Sequence, residues 1–565
     1  MFTNKKTKLF DNTMSVSKAS VSSKSETSNS VFVQTAMKTG AETKSANGSL
    51  KYSTTGNDFV DQFGNISTYK APRSFDAISK DQTLLWGQNK LMTVAFTLYL
   101  RMITRTTDVF GVKTAVPQKG AEMRHEGIMR MLWLHLTAPK VFWSNITLMI
   151  AVGSWKDIFT MLQYDLVYNG WDDRKLNWDK FGKLILTGLN DETQNNLVKK
   201  YLPQVKAKSL CKTVESQADT MIAKWVCSLL YGGKSENKGS TYKMYRTLKS
   251  SGTAHEWQKL ISQGKHALID FNSIHGRALN KMVRSKYLTN QGLLEKYENW
   301  ITKDTTEAKY TGFVHELFEN LPSSLASLGV AKATTIDKQF TTLVNKAKSS
   351  NDRESNLIVV RDTSFSMGSK AVGTNMTAND VAKSIALYFS EFLTGRFENA
   401  WIEFNTTAKM HTWKGETATE KWYNDNTTYL GSTNFQSVIK LFVELKNQGV
   451  TESEFPTGIL CISDGEFNPS SQLNESNVEI ALSTLKNGGF SNTYVNNFVI
   501  ALWNLPYSYY GEAKAKFETF GDVKNVFYMS GYSPSIVSFL TNDIKTAAEL
   551  FEAAMDQEVL SMVKL

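Results

Sequence analysis

Near residue 355 the hydrophobic period of this chain changes, and that change limits its fold more than any other feature. Downstream, apolar runs at Leu357–Val360, Trp401–Phe404, Gly458–Ile462, Phe498–Leu502 and Val526–Met529 read as strands. Helical patterns alternate with them at Val381–Leu393, Phe435–Gln448, Val478–Lys486 and Tyr510–Phe520. Such alternation predicts a doubly wound α/β sheet with parallel central strands over residues 355–540. Ligands of these sheets bind beyond the carboxyl ends of the strands. Asp362 follows the first apolar run and Asp464 follows Leu460-Cys461-Ile462-Ser463, so both stand at such ends.

Upstream, residues 76–349 keep a helical period. Leu84, Leu85, Leu91, Val94, Ala95, Leu98 and Met102 recur at three- and four-residue spacing. Met129–Leu136, Ile158–Leu166, Leu184–Leu189, Met221–Leu230 and Leu293–Trp300 repeat the pattern, separated by polar or glycine breaks such as Gly153-Ser154 and Gly232-Gly233. Many consecutive helices of moderate length predict an α-helical, HEAT-like solenoid without a fixed repeat length. Residues 541–565 read as a C-terminal helix that packs back on this helical domain.

Residues 1–72 are rich in Ser, Thr, Lys, Asn and Gly and poor in large apolar side chains before Phe59. A segment of this composition buries too little surface to offset its ordering entropy, so a disordered tail is expected. Val31-Phe32-Val33 is its one apolar cluster. The lysines at the N-terminus are not followed by an apolar stretch, which argues against a secretory signal. Leu91–Ile103 is the most apolar run, but Arg101 interrupts it and it is too short for a bilayer, so no membrane role is expected. Three widely spaced cysteines with no metal spacing fit a reducing, cytoplasmic setting.

Charge is unevenly distributed. Residues 76–349 carry 38 Lys and Arg against 24 Asp and Glu, whereas residues 350–565 carry 16 against 25. The basic middle is the candidate for polyanion binding. Lys199, Lys200, Lys206 and Lys208 form one basic group, with Lys212 nearby. Arg277, Lys281 and Arg284 share one helix face with Lys286 beside it, a stripe able to track a phosphate backbone. Arg124, His125, Arg130 and Lys140 make a looser group. The tryptophans at 86, 133, 143, 155, 171 and 178 read as core rather than as base-stacking platforms.

The loop Asp362-Thr363-Ser364-Phe365-Ser366 places one carboxylate and two hydroxyls at alternate positions. That donor set suits a hard divalent cation such as Mg²⁺, which takes oxygen ligands and keeps several waters. Two further loops carry oxygen donors: Gly431-Ser432-Thr433-Asn434-Phe435, opening a helix, and Ser463-Asp464-Gly465-Glu466. Together the three loops resemble the metal-ion-dependent adhesion site of von Willebrand factor A domains, a DxSxS loop with a distant Thr and a distant Asp. The resemblance implies Asp362, Ser364, Ser366, Thr433 and Asp464 as the metal set, with Mg²⁺ or another divalent cation as cofactor.

A helical array followed by such a domain resembles the Ro autoantigen family, in which a TROVE module precedes an A domain. Gly153-Ser154-Trp155-Lys156-Asp157-Ile158, Ala223-Lys224-Trp225 and Ile269-Asp270-Phe271-Asn272-Ser273-Ile274 are similar to strings of that module. Trp503-Asn504-Leu505 and Met529-Ser530-Gly531-Tyr532 resemble the A-domain end of a TROVE-related family. His275-Gly276 stands where the family has Pro-Ser, so the basic residues above are read from charge and spacing alone. The resemblance implies a helical ring closed by the A domain, a ribonucleoprotein holding small structured or single-stranded RNA as a monomeric ring. No Walker loop, HExxH or GxSxG is present and the seven histidines are dispersed, so a binding protein is expected rather than an enzyme. The alternative is a structural or scaffolding protein of a larger assembly, a phage particle or virion for instance, whose A domain docks a protein partner through the metal.

Overall fold

The structure, a computed structural model, describes residues 41–45, 47–70, 72–232, 238–252, 255–349, 356–427, 431–470, 475–505, 517–519, 521–539 and 544–565. The Val31-Phe32-Val33 cluster and most of the helix expected over Tyr510–Phe520 lie outside the described residues. The protein is mixed α plus α/β. It has two short antiparallel hairpins, β1 (Glu42–Lys44) with β2 (Leu50–Tyr52) and β3 (Asp108–Val109) with β4 (Val112–Lys113). A six-stranded sheet is built from β5 (Leu357–Asp362), β6 (Ala400–Phe404), β7 (Ala408–Thr412), β8 (Gly458–Ser463), β9 (Val499–Asn504) and β10 (Val526–Ser530).

The chain divides into two compact units. One comprises residues up to 71 together with 271–554, and the other comprises 72–270 together with 555–565. In the first, the sheet order is β10-β9-β8-β5-β6-β7, with β7 antiparallel to β6 and every other neighbour parallel. Every residue of β5 and of β8 is buried. A parallel strand covered on both faces must be apolar on both, which is why these strands read as unbroken apolar runs. The chain leaves β5 toward β6 and β7, then returns to β8 on the other side of β5. The order therefore reverses between β5 and β8, and their carboxyl ends open a crevice at that point. The register pairs Val360 with Cys461 and Arg361 with Ile462, which brings Asp362 level with Ser463.

Two expectations about this unit are corrected. Residues 271–349 group with the sheet rather than with the helices before them. Their apolar and polar groups are spent on it: Phe318 stacks on Trp422 with ring centroids 4.4 Å apart, and Asp337 accepts from Thr419 N at 2.7 Å and Thr419 Oγ1 at 2.9 Å. The expected disorder up to residue 72 does not extend to 41–45 or 47–70. There β1 and β2 pair, and the helix Asp58–Gly64 places Phe59 and Phe63 against Phe551 with ring centroids 5.5 and 5.6 Å apart.

The second unit is helical. Phe75–Gln88, Lys90–Arg101, Arg124–Thr137, Pro139–Val152, Trp155–Asn169, Trp178–Asn190 and Val214–Tyr231 follow one another. The starts are chemically marked. Pro139 opens one helix, and at the start of the next the Ser154 N–H donates to Asp157 Oδ2 at 2.8 Å. Residues 555–565 belong here. Val559 N donates to Gln118 Oε1 at 3.0 Å and Asn145 Nδ2 donates to Lys564 O at 2.6 Å. The expected C-terminal helix over 541–565 is thus divided, because Ala547–Ala554 groups with the sheet and the residues after it with the helices. No described helix is long and apolar enough to cross a membrane.

Candidate metal centre

The crevice between β5 and β8 brings the expected acidic residues together. Asp362 ends β5 and is fully buried. Its Oδ1 accepts from the Ser364 N–H at 2.8 Å and its Oδ2 from Ser463 Oγ at 2.5 Å. The Ser364 and Ser366 hydroxyls lie 3.2 Å apart in the turn that follows. Asp464 comes directly after β8, and Gly465 then turns the chain at φ +79°, a conformation that L side chains rarely adopt. Asp464 Oδ1 accepts from Glu466 N at 3.1 Å. Its Oδ2 is buried and meets no hydrogen-bond donor among the described residues.

Thr433 is buried on the third loop. Asn468 fastens that loop to the Asp464 loop: the Thr433 N–H donates to Asn468 Oδ1 at 3.3 Å and Asn468 N donates to Thr433 O at 2.7 Å. Asn434 N donates to Asn405 O at 2.7 Å, tying the same loop to the residue after β6. Gly431 allows this approach. At φ +90°, a Cβ there would fall 2.4 Å from Thr406 Oγ1.

Burial and the neighbouring Asp464 charge push the Asp362 carboxyl up to about 7, against the hydrogen bonds from Ser463 and Ser364. Burial raises Asp464 as well, partly offset by the Ser366 hydroxyl and the Glu466 N–H. Neither carboxylate forms an ion pair among the described residues. Like charges buried together favour either a retained proton or a bound cation. The donors fit a hard cation: two carboxylates, hydroxyls at Ser364 and Ser366, and one buried oxygen without a donor. No group of three or more His, Cys, Asp or Glu converges among the described residues. Phe365, between the two serines, is 78% exposed.

Sequence reasoning quoted Ser463 in its donor loop without its bond to Asp362, and it missed two contributors. One is Asn468, and the other is the β1–β2 hairpin, whose Lys51 pairs with Glu518 at 2.8 Å and also donates to Gly465 O. Away from the centre, the edge strand β7 was not anticipated either.

The basic residues divide between the two units. Lys199, Lys200 and Lys206 fall in the helical unit, as does Lys208, whose side chain lies outside the described residues. Arg277, Lys281, Arg284 and Lys286 fall in the sheet unit. The helix Gly276–Arg284 forms as expected with Lys286 just beyond it, and two of the four charges are engaged within the protein. Arg277 makes a two-pronged pair with Glu316 at 2.9 and 2.6 Å, and Arg284 donates to the carbonyls of Glu316, Leu317 and Glu319. Lys281 and Lys286 are exposed. In the looser group, Arg130 is fully buried against Glu126 at 3.0 Å, and His125 bonds to Tyr164 and to the Arg73 carbonyl. Of the six tryptophans read as core, Trp133, Trp155 and Trp178 are buried, whereas Trp86, Trp143 and Trp171 are half-buried.

Residues 356–563 match the model of a family described as a domain of unknown function, DUF7788. The match covers the whole sheet and all three loops of the centre, and it begins after the hairpin. No curated protein matches the chain.

Proposed function

We propose that this is a divalent-cation-dependent binding protein. Its sheet domain, similar to von Willebrand factor A domains, holds an acidic group of a protein partner through an ion at Asp362, Ser364, Ser366, Thr433 and Asp464. The observation that carries this reading is the like-charged pair of Asp362 and Asp464, buried together with Asp464 Oδ2 lacking a donor among the described residues. When bound, Mg²⁺ or a similar ion supplies the compensating charge and open positions for an acidic ligand. The chain's own groups orient the donors. Ser463 and the Ser364 N–H fix Asp362, and Asn468 fastens the Thr433 loop. Phe365 offers an apolar contact beside the ion. The test is calorimetric titration of the full chain with Mg²⁺. Saturable binding that Asp362→Ala abolishes is expected, and identical titrations of parent and variant would end the reading.

A second reading, that the helical unit contacts RNA as its resemblance to the Ro family implies, is favoured by charge. Residues 72–270 carry 28 Lys and Arg against 17 Asp and Glu. Filter binding of single-stranded and hairpin RNA across a salt series tests it. Affinity should fall steeply with salt, and no binding at low salt would sink it. Neither reading calls for a catalytic step. A scaffold within a larger assembly is compatible with the first.

A further inference from the structure

Three consecutive carbonyls follow Asp464, and each accepts a hydrogen bond from a side chain of the β1–β2 hairpin region. Lys51 Nζ donates to Gly465 O, Asn47 Nδ2 to Glu466 O at 2.6 Å and Ser45 Oγ to Phe467 O at 2.9 Å. Lys51 also lies 4.6 Å from the centroid of the Phe467 ring.

The hairpin is itself anchored on both sides of this contact. Ser45 N donates to Ser49 O at 2.9 Å and Ser49 N to Ser45 Oγ at 3.0 Å, which closes the turn. Tyr52 and Phe517 exchange backbone bonds at 2.7 and 2.9 Å, and Asn477 Nδ2 donates to Ser49 Oγ at 2.9 Å. The Lys51–Glu518 pair is almost fully buried, with 1% of either side chain exposed. A segment so polar gains little from apolar burial. Its order comes from these bonds, three of which end on the loop that carries Asp464.

Fixing three successive carbonyls fixes the intervening peptide planes, because each peptide unit is rigid and only φ and ψ turn. The peptide planes downstream of Asp464 are therefore set by residues far upstream, outside the matched domain. The geometry points to a positioning role for this hairpin: Ser45, Asn47 and Lys51 clasp Gly465–Phe467 so that Asp464 is held where a divalent cation takes it. This inference rests on the cation reading of the Asp362–Asp464 pair and adds to it a requirement for the N-terminal segment.

The test uses the full chain and compares Mg²⁺ with Ca²⁺. Mg²⁺ demands near-ideal octahedral geometry while Ca²⁺ accepts flexible coordination, so a loosened loop should weaken Mg²⁺ binding by about tenfold and Ca²⁺ binding by less than about threefold. The first variant is Ser45→Ala with Asn47→Ala. Asn47 is exposed, so the fold should survive, and amide exchange at Gly465–Asn468 should quicken. The second variant, Lys51→Met with Glu518→Gln, removes both buried charges together and should show the same selectivity loss. Mg²⁺ affinity within about twofold of the parent in both variants, or a parallel fall for the two ions that tracks melting temperature, would overturn the clasp while leaving the cation reading intact. A parent chain that binds neither ion would sink the cation reading and this inference with it.

Discussion

Buried charge is arranged in opposite ways in the two units. In the helical unit Arg101 and Asp157 approach to 2.7 Å, with Arg124 3.3 Å from the same carboxylate, and Glu126 stands between Arg73 and Arg130 at 2.7 and 3.0 Å. Each of these buried charges has an opposite charge within ion-pair distance. At the switch point of the sheet two carboxylates are buried with each other. Elsewhere in the same unit Arg361, Asp425 and Lys383 form a compensated cluster at 2.6 and 3.3 Å, so the exception is local to the crevice. Compensated clusters serve the fold, which suffers when one partner is lost. An uncompensated pair is costly to the fold and points to a ligand.

The contrast breaks most visibly at Asp157. Asp157→Ala strands Arg101 and Arg124, and losing one partner of a buried pair costs about 3–5 kcal/mol. Urea denaturation should show a large loss of stability, with Mg²⁺ binding by the variant retained wherever it is folded. A variant as stable as the parent would mean the helical cluster is no structural pair.

Asp464→Asn should act in the other sense. It relieves like-charge repulsion, so the chelator-treated variant should be no less stable than the parent at pH 8, while its Mg²⁺ titration should be flat. Destabilisation in chelator together with intact Mg²⁺ binding would place Asp464 among the structural charges.

The pH dependence sharpens the same point. In the metal-free fold Asp362 keeps its proton up to about pH 7, whereas in the unfolded chain it ionises near ~3.9. Between those values the folded state binds more protons, so stability falls as pH rises through the window and stays low above it. Asp425 gives the opposite slope. Although burial works against it, Arg361 and Lys383 hold its carboxyl well below the usual range, so its contribution is present above the ordinary carboxylate pKa and is lost in strong acid. Urea midpoints in chelator should therefore drop between pH 5 and pH 8, and saturating Mg²⁺ should narrow that drop. A midpoint that rises over this range would contradict the buried like-charge pair.

The smallest expected effects concern RNA. Charge reversal of Lys199, Lys200 and Lys206 should reduce the salt slope of RNA binding by roughly one per lost phosphate contact. Arg277→Glu should leave that slope unchanged, because Arg277 is already paired with Glu316. Equal effects at both places would mean that Arg277 is as available to phosphate as the three lysines.

Much of the sheet was legible because its signals are local. Each of the five expected strands occurs, since a parallel strand covered on both faces is a continuous apolar run, as in Leu357–Val360 and Gly458–Ile462. β7 was missed because Ala408–Thr412 sits at an edge, where alternating polar residues suffice. The helix under Arg277 and Arg284 was legible too, but the partners of these two arginines were not. Their partners, Glu316 and the carbonyls of residues 316–319, come from a segment far along the chain.

By itself the sequence determined the elements and the loops that end them: period sets strand or helix, and a carboxylate after an apolar run falls at a strand's carboxyl end. Only the tertiary structure decided which charges are compensated and which are not, because pairing depends on what arrives from distant segments. It also decided that a serine- and lysine-rich N-terminal stretch becomes a hairpin. That stretch has little apolar surface to order it alone, and it acquires structure through the carbonyls of Gly465–Phe467, the edge at Phe517 and the charge of Glu518.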